Sequence, residues 1–280
     1  MNPPAATLPA ASLPASSLPE YATLALARHE PHRLVVTFNR PAVMNAIDTR
    51  MGLDLLDLWT RLGADAEDIR CVVLTGAGDR AFCAGGDLKE RNGMSDEAWR
   101  RQHEIFERAY FALLAVPVPV IAAVNGHAYG GGLETALACD FMYIDRRARL
   151  ALSEVRLGIM PGGGGTQNLA RAVGERRAKE LIFRAQPFAA QQALDWGLAN
   201  HVSEPGQVLA DALEAAADIA RNGPLAVRQA KKSIHYGLQT DLLTGSRFEI
   251  EAYNRLVSSD DRHEGVRAFN ENRPPQFKGK

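Results

Sequence analysis

Short all-apolar runs alternate with amphipathic stretches through the first two thirds of the chain. Arg33–Asn39 (RLVVTFN) is rich in β-branched residues and predicts a strand. Residues 48–62 place Met51, Leu55, Leu58, Trp59 and Leu62 on one helical face. Arg70–Thr75 (RCVVLT) predicts a short buried strand. Ser95 followed by Asp96 and Glu97 predicts the start of a helix reaching about residue 114. Pro117–Val124 predicts another buried strand, then a glycine run and a helix through Cys139; Asp140–Ile144 and Leu150–Leu152 predict two more strands. Strands alternating with helices predict an α/β core.

After about residue 200 the pattern changes. Val208–Arg221, Leu225–Tyr236, Asp241–Ser258 and Asp260–Asn270 all have helical spacing, and Pro224 punctuates the first pair. Residues 1–20 are mostly Pro, Ala, Ser and Leu and contain no Lys or Arg, unlike a signal or transit peptide. The expected organisation is therefore a disordered N-terminal tail over 1–20, an α/β core over 21–200 and a helical region over 201–280.

Composition adds mainly exclusions. A net charge of −1 gives no global attraction to nucleic acid or anionic lipid, and neither partner is expected. No apolar stretch approaches the roughly 20 residues needed to span a bilayer. Cys71, Cys83 and Cys139 are odd in number and sit in or beside apolar runs, which predicts buried thiols in a reducing, cytoplasmic setting. No His or Cys spacing suggests a metal site.

Two glycine-rich segments stand out: Phe82-Cys83-Ala84-Gly85-Gly86-Asp87-Leu88 and Asn125-Gly126-His127-Ala128-Tyr129-Gly130-Gly131-Gly132-Leu133-Glu134. Each follows an apolar run, and glycines there let backbone come close to something. One reading is close helix–strand packing or a plain turn. The other is bare N–H groups at a helix N-terminus offered to an anionic oxygen. A second acid, Glu154, follows Leu150-Ala151-Leu152; a lone glutamate there reads as a solvated loop residue. Two sets of N–H groups with two glutamates suit chemistry beside a carbonyl, where an enolate oxygen must be held and protons moved. Gly76-Ala77-Gly78-Asp79-Arg80-Ala81 fits a dinucleotide fingerprint, but poor helix sequence follows it. Pro161–Thr166 lacks the Lys of a phosphate loop and reads as a tight turn into a helix near 167–172. His127 reads as a packed histidine, and Cys83 as core.

Together these segments resemble the crotonase (enoyl-CoA hydratase/isomerase) superfamily. The resemblance runs from about Leu34 to Lys280 and includes Asn39-Arg40-Pro41 with Asn45-Ala46 and the tail Asn272-Arg273-Pro274-Pro275-Gln276-Phe277-Lys278-Gly279. It implies a crotonase-like spiral of ββα units with a helical C-terminal oligomerisation region. It implies Glu134 and Glu154 as catalytic acids, and Gly86 and Gly131 as oxyanion donors. It implies Ala46, Ala84, Asp87, Leu88, Lys89, Phe277 and Lys278 around coenzyme A, the last two in the same or a neighbouring subunit. Many relatives have alanine where this chain has Gly86, a change that leaves the N–H in place. Both acids retained implies hydration of an enoyl-CoA, with coenzyme A as part of the substrate, no separate cofactor, and a homotrimer or dimer of trimers. Within the superfamily, Gly86-Asp87-Leu88-Lys89-Glu90-Arg91 and Met160–Gln167 are most similar to the 3-methylglutaconyl-CoA hydratase branch, for whose second carboxylate Arg91, Arg100 and Arg101 either offer a counter-charge or, on a helix, face water. Enoyl-CoA isomerisation, or binding of acyl-CoA without catalysis, are the competing expectations.

Overall fold

The computed structural model describes residues 19–280, so the tail expected over 1–20 falls almost wholly outside them. A hairpin of β1 (Leu24–His29) and β2 (Arg33–Phe38) leads into α1 (Thr49–Ala64). Three repeats of two strands and a helical segment follow. In the first, β3 (Cys71–Gly76) and β4 (Ala81–Cys83) precede α2 (Leu88–Arg91) and α3 (Asp96–Leu114). In the second, β5 (Val120–Val124) and β6 (His127–Tyr129) precede α4 (Gly131–Ala138). In the third, β7 (Phe141–Asp145) and β8 (Arg149–Ala151) precede a 3-10 turn at Glu154–Leu157 and then α5 (Gly165–Val173). The chain continues through α6 (Glu175–Arg184), β9 (Phe188–Ala189), α7 (Ala190–Asp195), β10 (His201–Ser203) and α8 (Val208–Ala220). It ends with α9 (Pro224–Gly237), α10 (Leu242–Val257) and α11 (Asp260–Asn270).

In every repeat the first strand joins one sheet and the second joins another. The larger sheet has the order β1-β2-β3-β5-β7-β10, with all pairs after the first hairpin parallel. The smaller has the order β4-β6-β8-β9, with β4, β6 and β8 parallel. The chain therefore winds as a spiral of ββα units, as the family resemblance implies. β3 and β5 are buried at every position, which is why their sequences are apolar without alternation.

Local chemistry sets the helix starts. Asp48 accepts from the Met51 N–H at 2.8 Å to cap α1, and Ser95 accepts from Ala98 at 3.2 Å to cap α3. The predicted face of α1 (Met51, Leu55, Leu58, Trp59, Leu62) is buried. It packs over the larger sheet beside Leu113 of α3 and Leu133 of α4. On the sheet's other face, Val208, Ala212 and Ala216 of α8 cover Val35, Val73 and Ile121.

The sheet takes its sixth strand and the helix on its outer face from beyond residue 200, so the α/β layering extends to about Ala220. The helices that stand apart begin at α9. Lys231 ties α9 to the core, its Nζ lying 2.7 Å from Asp140 and 2.9 Å from the Val118 carbonyl. Beyond that anchor much apolar surface is uncovered: Leu238, Leu242, Leu243, Tyr253 and Phe269 are all exposed. Among the described residues no helix is long and apolar enough to cross a membrane.

Candidate active site

Three parallel, adjacent strands necessarily end on the same side of their sheet. β4, β6 and β8 are such a trio, and each runs directly into one of the segments singled out in the sequence. β4 delivers Ala84-Gly85-Gly86, β6 delivers Gly130-Gly131, and β8 delivers Ser153-Glu154. All of these line one cavity of about 750 Å³. Its far wall is α3, with Arg91 of α2 and Trp99, His103, Phe106 and Tyr110 of α3 facing in; Leu55 and Trp59 of α1 are at the base.

The two N–H donors meet because the segments between them are bare backbone. A methyl group placed on Gly131 would lie 3.9 Å from the Gly86 nitrogen. One placed on Gly85 would lie 2.7 Å from the Tyr129 carbonyl, and Gly85 has φ +91°, where side chains are strained. Gly130, at φ 50° and ψ −127°, turns the chain into α4 without a capping side chain. Among the described residues neither the Gly86 nor the Gly131 N–H meets an acceptor. Both residues line the cavity, and Gly131 is the first residue of α4.

The loop carrying Gly86 is held from behind. Segment 44–47 is strapped along it: Ala84 N–H donates to the Met44 carbonyl at 3.0 Å, Ile47 N–H to Gly85 at 2.8 Å, and Asp87 N–H to Ile47 at 2.9 Å. Asn45 is fully buried; its Nδ2 donates to the Ala77 and Ala81 carbonyls at 3.0 and 2.9 Å. Arg40 donates to Asp87 at 3.0 Å and to the Ala46 carbonyl at 2.6 Å. Ala46 and Asp87 thus brace the loop from outside the cavity walls, whereas Ala84 and Leu88 line the cavity. Lys89 is exposed beside Leu88. Phe277 and Lys278 are elsewhere: the Phe277 ring lies against Gly223 and Gly265 in a second cavity, and the Lys278 N–H donates to Asp261 at 2.6 Å.

The carboxylates differ in their surroundings. Glu134 is buried on α4, and its Oε1 accepts the N–H groups of Gly163 and Gly165, each at 2.8 Å. The glycine turn expected only to start a helix is therefore also a carboxylate cradle. Burial raises the Glu134 pKa, and these two N–H groups with His103 oppose the rise. Glu154 has no such support: both its oxygens are buried without a hydrogen-bond partner among the described residues. Burial lifts its pKa from 4.5 to about 7 and the Glu134 charge adds to the rise, while backbone N–H groups of its own turn, too poorly aligned to bond it, work the other way. Both carboxyls are thus pushed upward by burial, Glu134 against the opposition of two N–H donors and Glu154 without a bonded partner.

Residues matched from 32 to 280 fit the family described as enoyl-CoA hydratase/isomerase. This chain belongs to that family. The short-chain-enoyl-CoA hydratase of Clostridium acetobutylicum is 41% identical over 239 residues, covering 85% of this chain and 91% of that protein. The mitochondrial methylglutaconyl-CoA hydratase of Mus musculus is 40% identical over 250 residues, covering 88% and 79%. The crystal structure of an enoyl-CoA hydratase from Bacillus anthracis superposes with a TM-score of 0.90 at 42% identity, covering 92% of this chain and all of that one.

Other sequence expectations resolve simply. The 76–81 fingerprint is a turn between β3 and β4 rather than a helix start. The Cys83 thiol is buried and pushed up to about 12, as suits packing. His127 accepts the Arg149 N–H at 3.2 Å and stacks on Tyr129. Arg101 pairs with Glu97 outside the cavity, Arg100 sits exposed at its rim, and Arg91 points inward. The bracing by Arg40 and the placement of His103 escaped the sequence, since nothing in their spacing marks a partner more than 30 residues away.

The raised Glu154 pKa links to stability. Below its ordinary 4.5 the carboxyl is neutral in both folded and unfolded chains; between 4.5 and about 7 only the unfolded chain ionises; above 7 the destabilisation is complete. Wild-type stability should therefore fall between pH 4.5 and 7 by on the order of 1–3 kcal/mol relative to Glu154→Gln, the upper end reduced by solvent screening. Denaturant melts of both proteins at pH 5 and pH 8 measure it; parallel pH dependence in the two would refute the assignment.

Proposed function

We propose that the protein adds water across the α,β double bond of an enoyl-CoA thioester. The observation that carries this reading is the pair of unequal carboxylates facing one cavity with two unspent N–H donors. The Gly86 and Gly131 N–H groups hold the thioester oxygen, where enolate charge develops. Loss of one such donor typically costs about 3 kcal/mol. Glu134, held by two backbone N–H groups, takes a proton as the water oxygen bonds Cβ. Glu154 gives its proton to Cα, and proton exchange within the coupled pair restores the starting state. The net change is one water added. Isomerisation would need only one carboxylate, and simple acyl-CoA binding would need neither. Coenzyme A enters as part of the substrate along Ala84 and Leu88, and the chemistry calls on no further cofactor.

Removing either carboxylate's proton transfer should lower kcat with crotonyl-CoA about 10²- to 10⁴-fold in Glu134→Gln and Glu154→Gln, with much smaller changes in thioester affinity. Loss of enoyl absorbance measures the rate. Near wild-type turnover in either variant would sink the mechanism, and tight binding with no wild-type turnover would favour a non-catalytic acyl-CoA binder.

We also propose a homotrimer or dimer of trimers built through the helices from α9 onward. Support comes from the uncovered apolar surface there, with Leu242 86% and Phe269 83% exposed. In one chain Phe277 lines a different cavity from the glutamates and the Lys278 N–H is bonded to Asp261, so a role for them at coenzyme A requires a neighbour's site. Light scattering at micromolar concentration should give a multiple of three chain masses; a fully active monomer would refute the assembly.

A further inference from the structure

The run Gly162-Gly163-Gly164-Gly165 is closed to side chains at every position, and what closes it alternates. A methyl group on Gly163 would lie 3.0 Å from Glu134 Oε2, and one on Gly165 would lie 2.8 Å from Oε1. These are the two residues whose N–H groups hold that carboxylate. The other two glycines meet α3 instead. A methyl group on Gly162 would lie 2.8 Å from His103 Cε1, and one on Gly164 would lie 2.4 Å from the Tyr110 hydroxyl oxygen. His103 and Tyr110 stand on one face of α3, two turns apart. Both are half-buried and both line the cavity. The Tyr110 hydroxyl also accepts from Asn168 Nδ2 at 3.2 Å, and the Asn168 N–H donates to the Gly164 carbonyl at 2.8 Å. The ring is thereby tied to the first turn of α5 as well.

The turn is thus pressed between two helices. Helix α4 supplies the carboxylate that the turn holds, and α3 supplies the rings on which it rests. The backing is firm: Ala109 and Leu113 of α3 are buried, and Gln102 donates to Thr49 at 2.8 Å and to Glu90 at 2.7 Å. The turn itself is not, since a run of glycines has more conformational freedom than any other sequence. Without the rings, nothing from α3 would stop it moving away from Glu134, and a hydrogen bond weakens steeply as its geometry degrades. A misplacement of about 1 Å can cost on the order of 10²-fold in rate. The alternation also accounts for glycine at all four positions: two let α3 come close, and two let Glu134 come close. His103 acts on Glu134 by charge too, opposing its upward shift, so contact and charge have to be separated by experiment.

We propose that His103 and Tyr110 are positioning residues that set the depth of the 162–165 turn and, through it, the hold on Glu134. The consequence for rate rests on the hydration reading, whereas the contact does not, so each has its own readout. In protein carrying isotopically labelled glycine, the Gly163 and Gly165 amide protons should resonate downfield, as short bonds to a carboxylate do, and Glu134→Ala identifies them. His103→Ala and Tyr110→Ala should each move both signals upfield. The Gly206 amide, which donates to Asp145 at 2.7 Å far from the turn, should stay in place and marks an intact fold. With crotonyl-CoA, kcat should fall about 10- to 100-fold in each alanine variant, with a smaller change in affinity for saturated butyryl-CoA. His103→Gln, which refills much of the space without an imidazole charge, should recover most of the rate. Tyr110→Phe, which keeps the ring and loses the touching oxygen, should fall between alanine and wild type. Unmoved Gly163 and Gly165 signals in both alanine variants would overturn the proposal. So would a loss of butyryl-CoA affinity as large as the loss of kcat, which would make the rings a wall for the acyl group only. Failure of His103→Gln to recover would also overturn it, leaving charge as the role of His103. Moved signals in a protein that does not hydrate crotonyl-CoA would count against the hydration reading alone.

Discussion

The site depends on backbone touching backbone where α4 meets β4. A methyl group on Gly132 would lie 2.2 Å from the Cys83 carbonyl, a distance no side chain survives. Only glycine lets the start of α4 press against the strand that delivers Gly86. Without that contact the Gly131 N–H would retreat from the Gly86 N–H, and the two-donor hole proposed above could not form. The parallel order β4-β6-β8 supplies the common edge, and the glycines remove everything that would keep its loops apart. Fold and site are joined at this point.

Electrostatics then follow from burial. Burial raises the pKa of both carboxyls in the cavity, and the Glu134 charge adds to the rise at Glu154. Two N–H groups at the Gly163–Gly165 turn oppose the upward shift of Glu134 by holding it. Glu154, with no bonded partner, has its pKa raised to about 7. One pair of backbone donors therefore gives two chemically identical side chains different surroundings.

Long periodic elements were legible in the sequence because their own side chains encode them. The buried face of α1, the start of α3 at Ser95 and the four C-terminal helices are of this kind. The three-residue strands β4 and β6 were not, since three residues carry no period, yet they position the site. Glu134 and Glu154 were legible as candidates through their glycine-rich and strand contexts. The cradle for Glu134 was not, because the PGGGGT run reads equally as a turn and its partner is 29 residues away in sequence. The direction of Arg91 was open for the same reason: helical spacing cannot tell an inward arginine from a solvated one when α2 is a single turn.

The two-donor hole is the claim on which the rest stands. It can be read directly from the carbonyl stretch of isotopically labelled crotonyl-CoA bound to the Glu134→Gln/Glu154→Gln double variant, which should hold the thioester without turning it over. Two aligned N–H donors in a site shielded from water polarise the carbonyl more than water does, so the band should move below its aqueous frequency. A bound thioester whose carbonyl absorbs at or above the aqueous frequency would contradict the account.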